Sequence, residues 1–304
     1  MWLKEYKKRL KEAIKEGKIP IAIERASESY RRNLQEAVER FPYTIELAQE
    51  VRAIKEEAIR NLDSLFEEAK RQFEKNRAKV FLARTSEEAC EIIGSICGNR
   101  KVVVKGKSLT SEEISLREYL EERGYEVYET DLGEFLIQIT DQRPMHILSP
   151  AIHMSREEVA KVLSAYFKKE IPPNIGEEVR AVREFLREKF FQAEVGITGA
   201  NVVSAQSGTL VLIENEGNIR LTSGLPPVHI ALVGLEKLVF SLSQAMKVAE
   251  VTWRFANYTM PAYVSLISTP SKTGDIEKVT TFGAHGPKEL YVVFLDNGRR
   301  KLAQ

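Results

Sequence analysis

The amino-acid sequence predicts an α/β protein with a mostly parallel sheet, helices on both faces of that sheet and a helical extension at the N-terminus. Two observations lead to this prediction. From residue 79 onward, short runs of β-branched residues alternate with amphipathic helical segments, the pattern of βαβ units. Before that point the chain reads as helix throughout. We therefore expect a helical extension over residues 1–76 and an α/β domain over residues 77–304.

The helical extension is predicted from its apolar periodicity. Apolar residues recur every three or four positions and would form one stripe on one long helix: Val51, Ile54, Ala58, Leu62, Leu65, Ala69 and Phe73. Pro20 and Pro42 predict breaks between helices. No motif in this part carries chemistry. We interpret it as a packing or docking element and as a surface through which a homo-oligomer would form.

The elements of the α/β domain are read from strand-like runs and helix caps. Three hydroxyl residues with a glutamate three positions later predict helix starts: Thr85 with Glu88, Thr110 with Glu113, and Ser155 with Glu158. The predicted strands are 79–83, 101–105, 126–130, 145–149, 208–213, 218–223, 229–234, 263–268 and 290–296. The ENEG turn between 208–213 and 218–223 predicts a hairpin.

Composition excludes several classes of partner. Lys and Arg (45) almost cancel Asp and Glu (44), so the charge gives no reason to expect nucleic acid or a membrane surface. No run of about 18 apolar residues predicts a membrane span, and the N-terminus lacks an apolar signal core. A cytoplasmic location is expected. Cys90 and Cys97 lie seven residues apart on one predicted helix and are interpreted as buried small apolar residues.

Two segments at predicted strand ends are candidate anion or ligand sites. In KGKSLTSEE, residues 105–113, Lys107 and Ser108 precede a helix start and could assist anion binding. An ordinary capped βα turn is an equally good interpretation. In TDLGE, residues 130–134, Asp131 is more simply a helix N-cap than a ligand-binding residue.

The segment from Gly196 to Gly234 carries the densest set of candidate site residues. Turn glycines, hydroxyls, amides and charged groups stand between short apolar runs, where polar groups need partners. The candidate ligand-binding residues here are Thr198, Gly199, Asn201, Ser207, Gly208, Thr209, Asn218, Arg220 and His229, and the candidate catalytic carboxylates are Glu214 and Glu216. The alternative is a solvated polar turn. The histidines are scattered, and no metal site is predicted.

Several segments in one order resemble the LUD domain of lactate-utilisation proteins. They are KGKSLTSEEISL, ETDLGEFLIQ, HILSPAIH, GITGANVVSAQSGTLVLIENEGNIRL, PPVHIALVGLEKLV and LYVVFLDNGR. The similarity is closest to the large iron–sulfur subunit of lactate-oxidising complexes and extends into the helical N-terminal part. The resemblance implies a fold like that of the ribose-phosphate isomerase and CoA-transferase superfamily. It also implies oxidation of lactate to pyruvate by a non-NAD, iron–sulfur lactate dehydrogenase complex.

The resemblance also implies partners and a cofactor arrangement. The partners would be a cysteine-rich iron–sulfur subunit and a smaller LUD subunit. The family protein continues after LDNGR into a ferredoxin-like region with two cysteine-rich cluster motifs, whereas this sequence ends at Gln304 and contains two cysteines in all. We therefore expect no cofactor in this chain and iron–sulfur clusters only in a partner or a further C-terminal region.

Three functional hypotheses follow. In the first, the chain is the LUD subunit of a lactate-oxidation complex, where Lys107 and Arg220 hold the carboxylate of a small organic acid. In the second, an acyl- or CoA-transferase-like or isomerase-like enzyme uses a carboxylate of the Glu214–Glu216 turn as its nucleophile. In the third, the chain is a scaffold whose pocket is vestigial.

Overall fold

A computed structural model describes residues 6–8, 10–11, 14, 18–142 and 149–303. The helices of this part are α1 (Lys18–Arg40), α2 (Thr44–Arg60), α3 (Leu62–Lys75), α4 (Ser86–Cys97), α5 (Leu109–Glu113), α6 (Leu116–Glu121), α7 (Leu132–Thr140), α8 (Arg156–Phe167), α9 (Ile175–Gln192), α10 (Asn218–Gly224), α11 (Leu242–Phe255) and α12 (Arg299–Ala303). The strands are β1 (Lys79–Ala83), β2 (Val102–Lys105), β3 (Glu126–Glu129), β4 (Val195–Thr198), β5 (Val202–Ser204), β6 (Thr209–Glu214), β7 (Val228–Gly234), β8 (Leu238–Val239), β9 (Tyr263–Ile267), β10 (Lys272–Thr273), β11 (Thr281–Phe282) and β12 (Glu289–Leu295).

The predicted fold class is confirmed by a six-stranded sheet in which neighbouring strands run parallel, in the order β1-β12-β7-β4-β2-β3. A second sheet, β8-β5-β6-β9, has antiparallel pairs at β5–β6 and β6–β9. Because parallel strands need long crossovers, helices lie between most successive strands of the large sheet.

Both faces of the large sheet are covered, as predicted. Along β7, Ala231 and Val233 pack into one apolar cluster with α2, α3, α11 and the second sheet. Ile230 and Leu232 point to the opposite face and pack into a second cluster with α4 and α6. A third cluster joins α7, α8 and α9 over β2.

The predicted apolar stripe before residue 76 is buried but lies on two helices rather than one. Ile54 and Ala58 belong to α2, and Leu65, Ala69 and Phe73 belong to α3. The two helices are separated by Asn61, whose backbone is not helical. Its side-chain amide donates a hydrogen bond to the carbonyl of Glu57 at 2.9 Å. An asparagine side chain competes with the backbone in this way and ends helices.

The last helix before the sheet contributes directly to the core. Phe66 and Phe73 of α3 contact Phe294 of β12, with ring centroids 5.6 and 6.4 Å apart. The division at residue 76 stays a prediction, but α3 packs as part of the α/β core. The predicted break at Pro42 is confirmed, whereas α1 runs through Pro20, because proline is tolerated in the first turn of a helix.

The predicted strand 218–223 and its hairpin are wrong, because this segment is helix α10. Gly217, with φ +82°, turns the chain at the end of β6. A carboxylate oxygen of Glu214 then accepts the N–H of Ile219 at 2.8 Å, which satisfies a donor of the first helical turn. Strand β6 pairs with β5 and β9 instead.

The predicted helix starts have different outcomes. Ser155 and Glu158 form the predicted capping box, and the Thr85 hydroxyl accepts the Glu88 N–H. The box predicted at Thr110 is wrong: α5 begins at Leu109 with Ser108 as its N-cap, so Thr110 is already helical. Asp131 is confirmed as the N-cap of α7. The predicted strand 145–149, apart from Ser149, lies outside the described residues.

The two cysteines are buried free thiols on α4, as predicted. Burial raises the pKa of Cys90 to about 11 and that of Cys97 to about 12. Both are therefore protonated and unreactive at neutral pH. In the described part of the chain, no helix has the length and apolar character needed to cross a membrane.

Candidate functional site

A small cavity lies beside the carboxyl ends of β2 and β4, where open α/β sheets place their ligands. Its volume is about 320 Å³. It is lined by Lys107, Ser108, Leu109, Thr110, Gly199, Ala200, Asn201, Leu212, Ile213, Ile219, Lys237 and Thr252. The cavity brings together four predicted site residues, namely Lys107, Ser108, Gly199 and Asn201. We call it the lysine cavity.

Close backbone contacts hold the walls of the lysine cavity in place. The N–H of Gly106 donates to the carbonyl of Ile197 at 2.8 Å, which joins the loop after β2 to β4. At Gly199, an added Cβ would lie 2.8 Å from the Ser108 hydroxyl, so only glycine fits without displacing that side chain. The Asn201 amide oxygen accepts the N–H of Ile213 at 2.8 Å. These contacts fix the side of the cavity that faces Lys107.

Lys107 and Lys237 give the lysine cavity its positive charge. Both residues line it, from the loop after β2 and from the turn after β7. Their Nζ atoms lie 3.7 Å from Oε1 of Glu134 and 3.8 Å from Oε1 of Glu236, respectively. Sequence analysis did not select Lys237, because it lies within a segment that reads as an ordinary apolar strand end. Two ammonium groups at one small cavity favour a ligand with a carboxylate or another compact anion.

A buried ion pair joins the neighbouring strands β2 and β3, two residues before Lys107. The Nζ atom of Lys105 lies 2.8 and 3.0 Å from the two carboxylate oxygens of Glu129, and the residues face each other in the β2–β3 register. Both side chains are almost fully buried. The sequence predicted Lys105 only as the end of a strand. A lysine that follows three valines in a buried strand indicates a buried charge, and this signal was missed.

Glu134 is a second acidic group that sequence analysis missed. It sits in the first turn of α7, 5% exposed, with Oε1 3.7 Å from Nζ of Lys107. Burial, followed by the negative charge of Glu112, raises its pKa to about 7. A carboxyl group with this pKa can exchange a proton near neutral pH. The signal was the ETDLGE segment, in which only Asp131 was considered.

Thr198 and His229 lie close together, but apart from the lysine cavity. The Thr198 hydroxyl is 2.8 Å from Nε2 of His229, and both residues are buried. Burial lowers the pKa of His229 to about 4, so the imidazole is neutral at physiological pH. His229 lines a separate cavity of about 520 Å³ next to Arg220, Ser223 and the chain from Val264 to Lys272.

The two candidate carboxylates have different environments. Glu214 is buried and engaged with the start of α10, and burial raises its pKa against the opposing effect of backbone N–H donors. Glu216 stands at the exposed tip of the turn. With Asn218 and Arg220 it lines a third and larger cavity of about 740 Å³, on the other side of the turn from the lysine cavity.

The Ser207–Thr209 turn lies near none of these three cavities. The Ser207 hydroxyl bonds to those of Ser204 and Thr209 at 2.9 and 2.8 Å. Gly208, with φ +56°, packs so closely against α3 that an added Cβ would lie 2.7 Å from the backbone nitrogen of Phe73. These contacts tie the second sheet to α3. Among the described residues, no group of three His, Cys, Asp or Glu side chains is arranged to hold a metal ion.

The fold and these cavities define an α/β protein with a small cationic cavity at the carboxyl ends of a parallel sheet. A family model described as the LUD domain matches residues 66–295. The chain therefore belongs to the LUD-domain family.

Similar proteins include two named Lactate utilization protein B and one named as an electron transport protein. The chain is 34% identical to the Lactate utilization protein B of Bacillus velezensis over 98% of its length and 62% of the relative. For that of Bacillus subtilis the identity is 33%, over 98% of the chain and 61% of the relative. For an uncharacterized electron transport protein of Escherichia coli K12 the identity is 30%, over 98% of the chain and 62% of the relative. The chain thus spans about three fifths of the length of these relatives.

Among solved structures, the chain is similar to a DUF162 family protein from Deinococcus radiodurans. The TM-score is 0.42 and the sequence identity 14%, over 77% of this chain and 98% of that one.

Proposed function

We propose that this chain acts in lactate utilisation and that the lysine cavity binds the carboxylate of a small hydroxy acid. The observation that carries the proposal is the pairing of two lysines, Lys107 and Lys237, in a cavity of about 320 Å³ at the carboxyl edge of the sheet. The similarity to Lactate utilization protein B over 98% of the chain supports lactate as the acid.

The chemistry proposed for the cavity uses its own side chains. Lys107 and Lys237 pair with the carboxylate of lactate, and the Ser108 hydroxyl lies in the same wall to hydrogen-bond the ligand. Glu134, beside Lys107 and with a pKa of about 7, accepts the proton of the hydroxyl group through a bridging water molecule, while the Cα hydrogen and its electron pair leave for an acceptor held by a partner subunit. This arrangement binds the acid and removes a proton from it.

We propose that the electrons leave for iron–sulfur partners rather than for a group held by this chain. Oxidation of lactate to pyruvate releases two electrons and two protons, so an electron acceptor is required. The similarity to a relative named as an electron transport protein supports transfer of the electrons to partner proteins. Cys90 and Cys97 are buried and have raised pKa values, which makes them poor thiolate ligands for a cluster. The partners proposed are a cysteine-rich iron–sulfur subunit and a smaller LUD subunit.

Reconstitution with these partners tests the proposal. The chain would be co-expressed with the cysteine-rich and smaller LUD reading frames, and the purified complex assayed for lactate-dependent dye reduction. We expect reduction with the wild-type chain and with Lys161→Ala, an exposed lysine on α8, and a loss of at least tenfold with Lys107→Ala. An iron-loaded complex without lactate-dependent reduction would contradict the oxidation proposal.

A second candidate function is acyl transfer at Glu216. The favouring observation is that Glu216 is exposed at a cavity wall, whereas Glu214 is committed to the helix start. A carboxylate in this position can form a covalent acyl intermediate. Mass spectrometry of the protein after incubation with acyl thioesters would test it. An adduct on Glu216, absent from Glu216→Gln, would support transfer, and an unmodified peptide would exclude this role.

A further inference from the structure

The larger cavity beside Glu216 has a composition unlike that of the lysine cavity. Its volume is about 740 Å³, within the range of sites for cofactor-sized ligands. It lies between one face of α9 and the segment from Glu216 to Leu221, with Thr130, Leu132 and Tyr263 completing its walls. We call it the arginine cleft, because Arg183, Arg187 and Arg220 line it.

One wall of the arginine cleft is an apolar helix face. Val179, Val182, Leu186 and Phe190 follow each other at intervals of three or four residues along α9 and all line the cleft. Val182, Leu186 and Phe190 are at most 6% exposed and form its floor, whereas Val179 is 42% exposed at its rim. The apolar side chains open to a ligand therefore include Val179 at the rim and Tyr263, 39% exposed, on the opposite wall.

The charges of the cleft complement an anion. Within the described residues, the salt bridges of α9 are made by Arg180, to Glu177 and Glu184, and not by Arg183 or Arg187. On the opposite wall, the Arg220 guanidinium lies over the Tyr263 ring, 4.5 Å from its centroid. An aromatic group could stack against this pair. Three arginines thus line one cleft together with one carboxylate, Glu216. The Arg187 guanidinium also lies 5.7 Å from the centre of the Phe191 ring.

The cleft and the lysine cavity share one turn of the chain. Ile219 lines the lysine cavity, whereas Asn218 and Arg220 line the arginine cleft. The charge of Lys107 also acts on the carboxyl group of Glu216. The two cavities are therefore neighbours, and a ligand in the cleft would lie next to the small-acid site without occupying it.

We propose that the arginine cleft binds an organic anion that joins a carboxylate or phosphate group to an aromatic body. The arginines take the anionic group in bidentate contacts, and the α9 face and Tyr263 take the aromatic body. A three-carbon acid has no apolar body to fill this floor, so the ligand differs from the one proposed for the lysine cavity. This inference does not depend on lactate being the small acid.

Titration with three naphthyl compounds tests the proposal on the full chain. The probes are 1-naphthyl phosphate, 1-naphthoate and the neutral 1-naphthol, with binding followed by naphthyl fluorescence. We expect at least one anion to bind at least tenfold more tightly than 1-naphthol, because hydrogen bonds between two charged groups are stronger than those to a neutral hydroxyl group. Whether the phosphate or the carboxylate binds more tightly identifies the anionic group.

Matched arginine variants of α9 locate the binding. The double variant Arg183→Gln/Arg187→Gln should weaken anion binding at least tenfold, whereas Arg180→Gln on the same helix should not change it. All three substitutions replace exposed side chains, and unchanged thermal unfolding would show that the fold is retained. Lys107→Ala should weaken naphthyl binding much less than the double variant does, whereas it should abolish most lactate binding, which separates this inference from the lactate proposal. The inference is overturned if neither anion binds more tightly than 1-naphthol, or if Arg180→Gln weakens binding as much as the double variant.

Discussion

Lys105 and Glu129 form an ion pair inside the parallel sheet, with Nζ 2.8 Å from Oε1 and both residues at most 3% exposed. The pair joins β2 to β3 at the strand end from which the loop carrying Lys107 begins. Removing Lys105 alone would leave the buried Glu129 carboxylate without its close partner, which is more costly than removing both residues.

The first prediction concerns this pair. Lys105→Met should lower the free energy of unfolding by up to about 3–5 kcal/mol, because the buried Glu129 carboxylate would keep only the longer contact to Arg117, 3.8 Å away. The double variant Lys105→Met/Glu129→Leu should recover most of that loss. Urea unfolding of the three proteins checks the prediction. A double variant no more stable than the single one would show that the pair does not act as a unit.

The second prediction concerns the contact between β4 and α10. A Cβ added to Gly196 would lie 1.8 Å from the carbonyl oxygen of Thr222, so the helix would have to move. Gly196→Ala should destabilise the protein by about 1–3 kcal/mol or more. The control is Gly224→Ala, where an added Cβ meets nothing within 4 Å. Equal melting temperatures for the two variants would contradict the described packing.

The third prediction concerns pH and Glu134. Its pKa is raised to about 7 in the folded protein, so the folded state binds a proton that the unfolded chain releases near its ordinary value of 4.5. The stability linked to this proton is present at low pH and is lost as pH rises through 7. The change in the free energy of unfolding caused by Glu134→Gln should therefore be about 1–3 kcal/mol more favourable at pH 8 than at pH 4.

Chemical unfolding of wild type and Glu134→Gln across this range measures that difference. Comparing the variant with wild type at each pH removes the contribution of other titrating groups. One of these is His229, whose lowered pKa acts in the opposite direction by favouring the folded state as pH rises from 4 to 6.5. A difference in stability that stays constant with pH would exclude the raised pKa of Glu134.

The fourth prediction concerns the role of α3. Phe73 is fully buried in the same cluster as Phe294, so Phe73→Ala should lower the free energy of unfolding by about 3–5 kcal/mol. Phe191→Ala, at a helical residue that is 69% exposed, should change it by less than about 0.5 kcal/mol. Similar small effects at both positions would favour an independent helical extension that ends at residue 76.

The fold could be predicted because its signals are local. The predicted runs 79–83, 101–105 and 290–296 are short and rich in apolar residues, and Asp131 and Ser155 carry cap signals that need no knowledge of distant residues. The NIRLTS segment misled sequence analysis because Ile219 and Leu221 alternate with polar residues as in a strand. The helix there depends on the carboxylate of Glu214, a tertiary contact that periodicity does not show.

The candidate site could be predicted only in part, for the same reason. Lys107, Ser108, Gly199 and Asn201 were identified from their turns, and the fold brings them to one cavity. The positions of Glu134 and Lys237 at the site depend on how α7 and the turn after β7 pack against the loop after β2, and sequence spacing does not show this packing. Ser207 and Thr209 looked similar in sequence to the other turn residues, but their hydroxyls bond within their own turn.

Lactate binding to the lysine cavity tests the central claim most directly. Isothermal titration calorimetry would compare L-lactate binding to the wild-type chain, to Lys107→Ala and to the control Lys161→Ala. We predict that wild type and Lys161→Ala bind lactate equally and that Lys107→Ala binds it at least about tenfold more weakly, as the loss of one charge-assisted contact implies. No lactate binding to the wild-type chain, or equal binding to Lys107→Ala, would contradict the claim.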